Sequence, residues 1–186
     1  MSQLKLFMLL LGANLPGRHT EQHDIFFCIG HELKDFVPDI KQFWPEAGEK
    51  VHIDAWRTVT SVDGYNIEVV EKTGNVQVST PKLFFINLGG YKEHEFEEFH
   101  YKMITVATDK GIAIQQAKKT AFYKHTSFGA ATSHIDDKYG IDVDDMYEIA
   151  DILPEAVKDK YTLRITEAVQ VLEDPIHMGY FKLSKL

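Results

Sequence analysis

The apolar positions of the chain fall into short runs separated by turn residues, and the first runs predict strands. Residues 4–11 are apolar apart from Lys5 and lead into a turn at residues 12–17. A continuous apolar run that ends in Gly and Pro predicts a central strand covered on both faces. Residues 23–29 are rich in aromatic and β-branched side chains and stop at Gly30, which predicts a second strand.

A helical period follows the second strand. Apolar residues recur on one face at Leu33, Phe36, Val37, Ile40 and Trp44. This spacing predicts a helix, and Pro38 predicts that the helix bends or begins close to it, because proline lacks the amide hydrogen that a helix interior needs. Residues 51–59 and 65–70 then predict two further strands.

The second half of the chain repeats this order. Residues 5–7 recur as residues 82–84, and the pair Glu21 and His23 recurs as Glu98 and His100. The triplet His52-Ile53-Asp54, followed by Tyr65, recurs as His134-Ile135-Asp136, followed by Tyr147. A period this long that occurs only twice predicts two similar lobes rather than a solenoid.

The expected fold class is therefore α+β, with two tandem β-β-α-β-β repeats packed about a pseudo-twofold axis. We expect lobes at residues 1–80 and 81–153 and a C-terminal extension at residues 154–186 packed on the second lobe. Alternation of apolar and polar residues over 161–166 predicts a half-buried strand, and residues 179–183 predict one more at an edge.

Composition narrows the possible partners. Acidic residues outnumber basic ones, 28 to 20, for a formal net charge of −8, and a nucleic-acid protein needs a basic face. No apolar run approaches the ~20 residues that span a bilayer. The single cysteine, Cys28, fits a reducing compartment and a buried thiol. We expect a soluble cytoplasmic protein with a small-molecule ligand or a second copy of itself as partner.

Four side chains are candidates for chemistry. His52 and Asp54 point to the same side of an extended strand, about 7 Å apart at Cα, and Glu21 and His23 have the same spacing. A histidine beside a carboxylate can act as a general base, with the acid orienting the ring. Histidine and carboxylate ligands also suit several divalent ions, which makes His23, His52 and Asp54 candidates for a metal site. The plainer interpretation is that these residues were copied with the repeat and are buried, hydrogen-bonded polar groups.

At these residues the chain resembles an uncharacterised bacterial family, domain of unknown function 1543, whose members carry one or two copies of a short domain. The matching residues are Leu11-Gly12, Pro16-Gly17, Glu21-x-His23-Asp24, His52-Ile53-Asp54 and Val62-Asp63-Gly64-Tyr65. The second copy departs at Tyr101 and Met146. The resemblance implies bacterial origin and a duplicated layout. It does not indicate which activity or which cofactor the protein has.

Function is less determined than architecture. No nucleophile elbow or phosphate-binding loop is present, so the sequence favours a non-catalytic binding or regulatory module. The alternative is a small-molecule enzyme that uses general acid-base chemistry at Glu21, His23, His52 and Asp54. Convergence of these four side chains in one open cleft would favour the enzyme, and separate burial of each would favour the scaffold.

Overall fold

The computed structural model describes residues 3–72, 80–91, 94–117, 119, 142–170, 172 and 174–186. It is a mixed α+β structure built on antiparallel sheets, so the predicted class is confirmed. The strands in these ranges are β1 (Lys5–Ala13), β2 (Gln22–Gly30), β3 (His52–Val59), β4 (Ser61–Val62), β5 (Tyr65–Glu71), β6 (Lys82–Tyr91), β7 (Glu98–Ala107), β8 (Asp142–Glu148), β9 (Tyr161–Glu167) and β10 (His177–Lys182). The α-helices are α1 (Val37–Phe43), α2 (Lys110–Ala117), α3 (Ile149–Ile152) and α4 (Glu155–Lys158), and 3-10 turns cover Leu33–Phe36, Pro45–Lys50 and Leu183–Lys185.

The chain divides into two compact units. The first consists of residues 1–77 together with 152–186, and the second of residues 78–151. The first unit contains a four-stranded sheet in the order β10-β3-β1-β2 and a three-stranded sheet in the order β4-β5-β9. The second unit contains a three-stranded sheet in the order β7-β6-β8.

In the first unit, β1 is central, as its apolar run predicts. Buried side chains of β1 lie on both faces of the sheet, and α1 packs against one of these faces. The helix begins at Val37 with Pro38 in its first turn, where the missing amide hydrogen is not needed, so the expected start near Pro38 is confirmed. The core of this unit consists of buried residues at Phe7, Leu9, Leu11, Ala13, Phe26, Cys28, Phe36, Ile40, Ala47, Val51, Ile53 and Leu183.

Cys28 is part of this core and is not a reactive thiol. It is 1% exposed, and its sulfur lies 3.6 Å from Asp39 Oδ2. Burial, reinforced by the nearby carboxylate of Asp39, raises the pKa of Cys28 to about 12. The thiol is therefore protonated at neutral pH, as the sequence led us to expect of a buried cysteine.

The second unit has β6 at its centre and α2 across one face. Asp109 Oδ1 accepts a hydrogen bond from the backbone amide of Ile112 at 3.0 Å, so it caps the start of α2. Small residues on the helix allow close packing on the sheet. This core contains Phe84, Ile86, Leu88, Ala107, Ala113 and Ala117.

The C-terminal segment belongs to the first unit, so the expectation that it packs on the second lobe is wrong. Strand β9 pairs with β5, and β10 pairs with the outer edge of β3. The predicted alternation in β9 is confirmed, since Leu163 and Ile165 are buried and Arg164 is exposed. Asp174 fixes the approach to β10: its carboxylate accepts hydrogen bonds from the Thr60 amide at 2.6 Å and from Thr58 Oγ1 at 3.1 Å. Such long-range contacts leave no periodic signal in the sequence.

The predicted counterpart of His52-Ile53-Asp54 on β3 is the triplet His134-Ile135-Asp136. Residues 134–136 lie outside the described residues, and the strand that pairs with β6 in the way that β3 pairs with β1 is β8. Tyr147 therefore lies within β8, opposite Phe85, whereas Tyr65 begins β5. A strand's register follows from its pairing and its buried face, which a short repeated triplet does not reveal.

No helix in the described ranges has the length and apolar character needed to cross a membrane.

Candidate functional site

The four candidate side chains of the first unit lie together at one end of its four-stranded sheet. Gly12 in β1 pairs with His23 on one neighbouring strand and with His52 on the other. The two histidines therefore flank a residue that has no side chain. A Cβ atom at Gly12 would collide with the Asp54 carboxylate and lie 2.7 Å from His52 Nε2. Glycine at this position is what leaves room for the cluster.

A β-bulge brings Asp54 into the cluster. In the pairing of β1 with β3, Leu11 faces Ile53 while Leu10 faces Ala55, so Asp54 is the extra residue. Bulges re-aim side chains and are frequent next to functional sites. Here Asp54 Oδ1 lies 3.2 Å from His52 Nε2. The sequence indicated that the two residues share a side, but it did not indicate the bulge.

Glu21 and His23 complete the cluster from the start of β2. Glu21 Oε1 lies 3.3 Å from His52 Nε2 and accepts a hydrogen bond from Asn14 Nδ2 at 3.1 Å. His23 Nε2 lies 3.3 Å from Asp54 Oδ2 and 3.7 Å from Glu21 Oε2. We refer to Glu21, His23, His52 and Asp54 as the first cluster. The carboxylate of Glu21 is thus oriented by Asn14, a residue that the sequence did not single out.

His52 is the buried member of the first cluster. It is 2% exposed, and the ring of Tyr180 on β10 packs against it with 4.2 Å between centroids. Its Nδ1 lies 3.0 Å from the backbone carbonyl oxygen of Lys50. A carbonyl oxygen only accepts hydrogen bonds, so Nδ1 carries a proton. Its Nε2 is buried and has no hydrogen-bond partner among the described residues, and the same is true of Asp54 Oδ2.

The other three members keep the cluster open to solvent. The exposed fractions of the side chains are 33% for Glu21, 41% for His23 and 25% for Asp54. The arrangement is one buried imidazole beside two carboxylates and a second imidazole, and these other three side chains are partly exposed.

A related group lies in the second unit. Gly89 in β6 pairs with His100 and with Asp142, and the register shift between Asn87 and Leu88 makes Asp144 the extra residue of a bulge. His100 Nε2 lies 3.4 Å from Asp144 Oδ2 and 3.9 Å from Glu98 Oε2. We refer to Glu98, His100 and Asp144 as the second cluster.

Sequence reasoning nominated the first cluster but missed Asp144. The signal that could have identified it is the pattern Asp142-Val143-Asp144, which matches His52-Ile53-Asp54 in its polar and apolar positions. Trp56, two residues after Asp54 on β3, stacks on the ring of His177 at 4.0 Å between centroids.

Comparisons with known proteins agree with the sequence on family resemblance. Residues 18–69 match the sequence model of the Domain of Unknown Function (DUF1543), so the resemblance is confirmed over this part of the chain. The matched range includes all four residues of the first cluster. The structure is similar to the crystal structure of a protein Il1583 from Idiomarina loihiensis, with a TM-score of 0.62 and 22% sequence identity over 97% of this chain and 98% of that one. This likeness shows a shared fold. None of the curated proteins matches the chain.

Proposed function

We propose that the protein binds a divalent transition-metal ion at the first cluster, with Glu21, His52 and Asp54 as ligands and His23 as a fourth. The observation that carries the proposal is the state of His52: its Nε2 is buried, has no hydrogen-bond partner and faces two carboxylates. Metal-ligating histidines commonly donate their other ring N–H to a backbone carbonyl, as His52 Nδ1 does to Lys50.

Without a bound ion, neither the neutral nor the charged ring of His52 satisfies Nε2. In the neutral ring the Nε2 lone pair points at carboxylate oxygens, which have no proton to offer it. In the charged ring an Nε2–H would need a hydrogen bond, and neither carboxylate has the geometry to accept one. Leaving such a buried group unsatisfied costs about 1–3 kcal/mol. A cation between the nitrogen and the two carboxylates removes that cost.

The spacing of the ligand atoms supports the same conclusion. Around an ion with ligand bonds of about 2.1 Å, neighbouring ligand atoms lie roughly 3.0 Å apart in an octahedron and roughly 3.4 Å apart in a tetrahedron. In the first cluster the distances from His52 Nε2 are 3.2 Å to Asp54 Oδ1 and 3.3 Å to Glu21 Oε1. The ligand atoms of these three residues all lie within 4.8 Å of one another.

The ligand types indicate which ions the site takes. Imidazole nitrogen suits zinc, copper, iron and nickel, whereas magnesium and calcium favour sites made of oxygen atoms alone. Mixed nitrogen and carboxylate ligands therefore favour zinc, copper, iron or nickel over magnesium and calcium.

A metal-binding module agrees with the binding role favoured by the sequence. A catalytic role is the second candidate, and one observation favours it. His23 Nε2 lies 3.3 Å from Asp54 Oδ2 and nearly half of its side chain is exposed, so a solvent-accessible imidazole stands beside a carboxylate, the pair of groups that general base catalysis uses.

We also propose that the two units are copies of one β-β-α-β-β repeat, packed about a pseudo-twofold axis. The proposal is supported by the matching strand orders β3-β1-β2 and β8-β6-β7. It is also supported by a glycine on each central strand, Gly12 or Gly89, that pairs with a histidine. A bulged aspartate follows on each third strand, at Asp54 and Asp144.

The expected setting is the bacterial cytoplasm, with a small-molecule ligand rather than a nucleic acid as partner, and with homo-oligomers as a further possibility. The net charge of −8 supports the choice of partner, since it repels phosphate backbones.

The experiment that tests metal binding compares Asp54→Asn with Asp144→Asn. Protein without an affinity tag is stripped with a chelator and titrated with Co²⁺, whose visible absorption reports coordination. Elemental analysis after dialysis against Zn²⁺ measures the stoichiometry. We expect one tightly held ion per chain in the native protein and in Asp144→Asn.

Asp54→Asn preserves the shape of the side chain but removes its charge, so we expect at least a tenfold loss of affinity. Circular dichroism checks that both variants are folded. Equal metal binding by Asp54→Asn and the native protein would contradict the proposal, as would the absence of any stoichiometric metal in the native protein.

A further inference from the structure

A cavity of about 390 Å³ adjoins the first cluster within the first unit. His52 and Asn14 belong to both the cavity wall and the surroundings of the cluster. The remaining wall comes mainly from four elements: α1, β10, the 3-10 turn Pro45–Lys50 and the 3-10 turn Leu183–Lys185. The lining residues beyond the shared pair are Lys41, Gly48, Glu49, Lys50, Val51, Tyr180, Lys182, Leu183 and Ser184.

The charge of this cavity wall is opposite to that of the chain. Three lysines, Lys41, Lys50 and Lys182, line it together with one carboxylate, Glu49, although the chain as a whole carries a net charge of −8. Lys41 Nζ is paired with Glu49 Oε1 at 2.7 Å. Within the described part of the chain, Lys50 and Lys182 have no ion-pair partner, and Lys182 Nζ lies 5.8 Å from the centroid of the Tyr180 ring. No carboxylate among these residues therefore neutralises either of the two lysine charges in the cavity wall.

We propose that this cavity binds a small organic oxyanion, a phosphate or carboxylate compound, between Lys50 and Lys182. Lysine ammonium groups and the Ser184 hydroxyl provide hydrogen-bond donors for its oxygens, and charge-assisted hydrogen bonds of this kind are the stronger ones. Tyr180, whose ring covers His52, offers an aromatic face to the organic part of the ligand. The inference rests on the proposed metal site in one respect: an oxygen of the anion reaches the ion beside His52.

Strand β10, from the C-terminal segment, forms part of the cavity wall through Tyr180 and Lys182. Lys182 pairs with His52 in the register of β10 with β3, which places a cationic residue directly beside the buried histidine along the sheet. Glu21 and Asp54 would offset the charge of a divalent ion at the first cluster, so the charge of Lys182 would be left to attract an oxyanion beside the ion.

Calorimetric titration with phenylphosphonate tests the proposal, and benzoate serves as its carboxylate counterpart with the same ring. The variants are the double substitution Lys50→Gln with Lys182→Gln, and the control Lys185→Gln, a nearby lysine that does not line the cavity. We expect one phenylphosphonate per native chain, at least a tenfold weaker affinity in the double variant, and native affinity in Lys185→Gln. The preferred probe distinguishes the two sources of the oxyanion.

Each titration is run on metal-free and on Zn²⁺-loaded protein, and metal stoichiometry is measured separately. In one outcome, the native protein takes up no metal and still binds phenylphosphonate in a way that depends on the two lysines. That result supports the oxyanion site and contradicts the proposed metal site. A native protein that holds one metal ion but binds neither probe overturns the oxyanion site alone. Equal affinity in the double variant and the native protein also overturns it, as does an equal loss in Lys185→Gln.

Discussion

The first and second clusters have the same backbone plan but different surroundings. Each has a glycine on the central strand, a histidine on one neighbour and a bulged aspartate on the other. The difference lies at the position opposite that glycine on the third strand, which is His52 in the first unit and Asp142 in the second. The residue paired with the glycine on the third strand is therefore an aspartate in the second unit and a histidine in the first.

The surroundings of the third strands differ as well. In the first unit β10 pairs with the outer edge of β3, and Tyr180 covers His52. Among the described residues of the second unit, β8 is the last strand of its sheet, and the side chains of its cluster are 30% to 40% exposed. The comparison teaches that the strand plan brings acids and histidines together, while the covering strand of the first unit buries one imidazole.

The largest expected effect concerns Ile53, the apolar residue between His52 and Asp54. Ile53 is fully buried between His52 and Asp54, and Val143, its counterpart on β8, is only partly buried. We expect Ile53→Ala to lower the free energy of unfolding by about 2–5 kcal/mol and Val143→Ala by about 1 kcal/mol. Urea denaturation of both variants measures the difference. A loss well under about 1 kcal/mol for Ile53→Ala would show that this face of β3 does not lie in the core. The sequence made the same prediction for Ile135, which lies outside the described residues.

The next effect concerns the two glycines. A methyl group at Gly12 would displace both Asp54 and His52, whereas at Gly89 it would meet the carboxylate of Asp144, with Oδ2 at 2.5 Å. We expect Gly12→Ala to weaken Co²⁺ binding by about 10- to 100-fold, which corresponds to about 1.4–2.7 kcal/mol. Gly89→Ala should leave it unchanged. If Gly89→Ala weakens binding and Gly12→Ala does not, the ion is held by the second cluster.

The smallest effect is a gain of function in the second unit. Asp142→His places an imidazole at the position that His52 occupies in the first unit. Made in the Asp54→Asn background, it should restore binding of one Co²⁺ per chain with lower affinity than the native site, because no strand in the described ranges covers β8. Metal titration of the double variant against Asp54→Asn alone measures this. An affinity no higher than that of Asp54→Asn alone would mean that the two third strands are not functional counterparts.

Much of this fold was accessible from the sequence, because its signals are local. The apolar run of β1, the start of α1 beside Pro38 and the alternation in β9 each depend on residues within one element. The four candidate residues were also accessible, since their spacing places each pair on one side of a strand. The sequence makes convergence of these four side chains in one open cleft the mark of an enzyme, and the structure brings the four together.

Errors arose where distant parts of the chain meet. The match of His52-Ile53-Asp54 to residues 134–136 suggested a register that the pairing of β6 with β8 does not follow. The C-terminal strands were assigned to the second lobe, although β10 binds the edge of β3. An open sheet edge accepts any strand of suitable length, and composition does not say which edge is open.

The sequence by itself determined which residue types stand at the end of each strand, and therefore which chemistry the protein can perform. Only the tertiary structure decided that one imidazole would be buried. That outcome depends on Gly12 leaving room, on the bulge at Asp54, on the Lys50 carbonyl that holds Nδ1 and on Tyr180 from the far end of the chain. The physical reason is that burial and hydrogen-bond partners are properties of three-dimensional neighbours, which residue spacing along a strand does not encode.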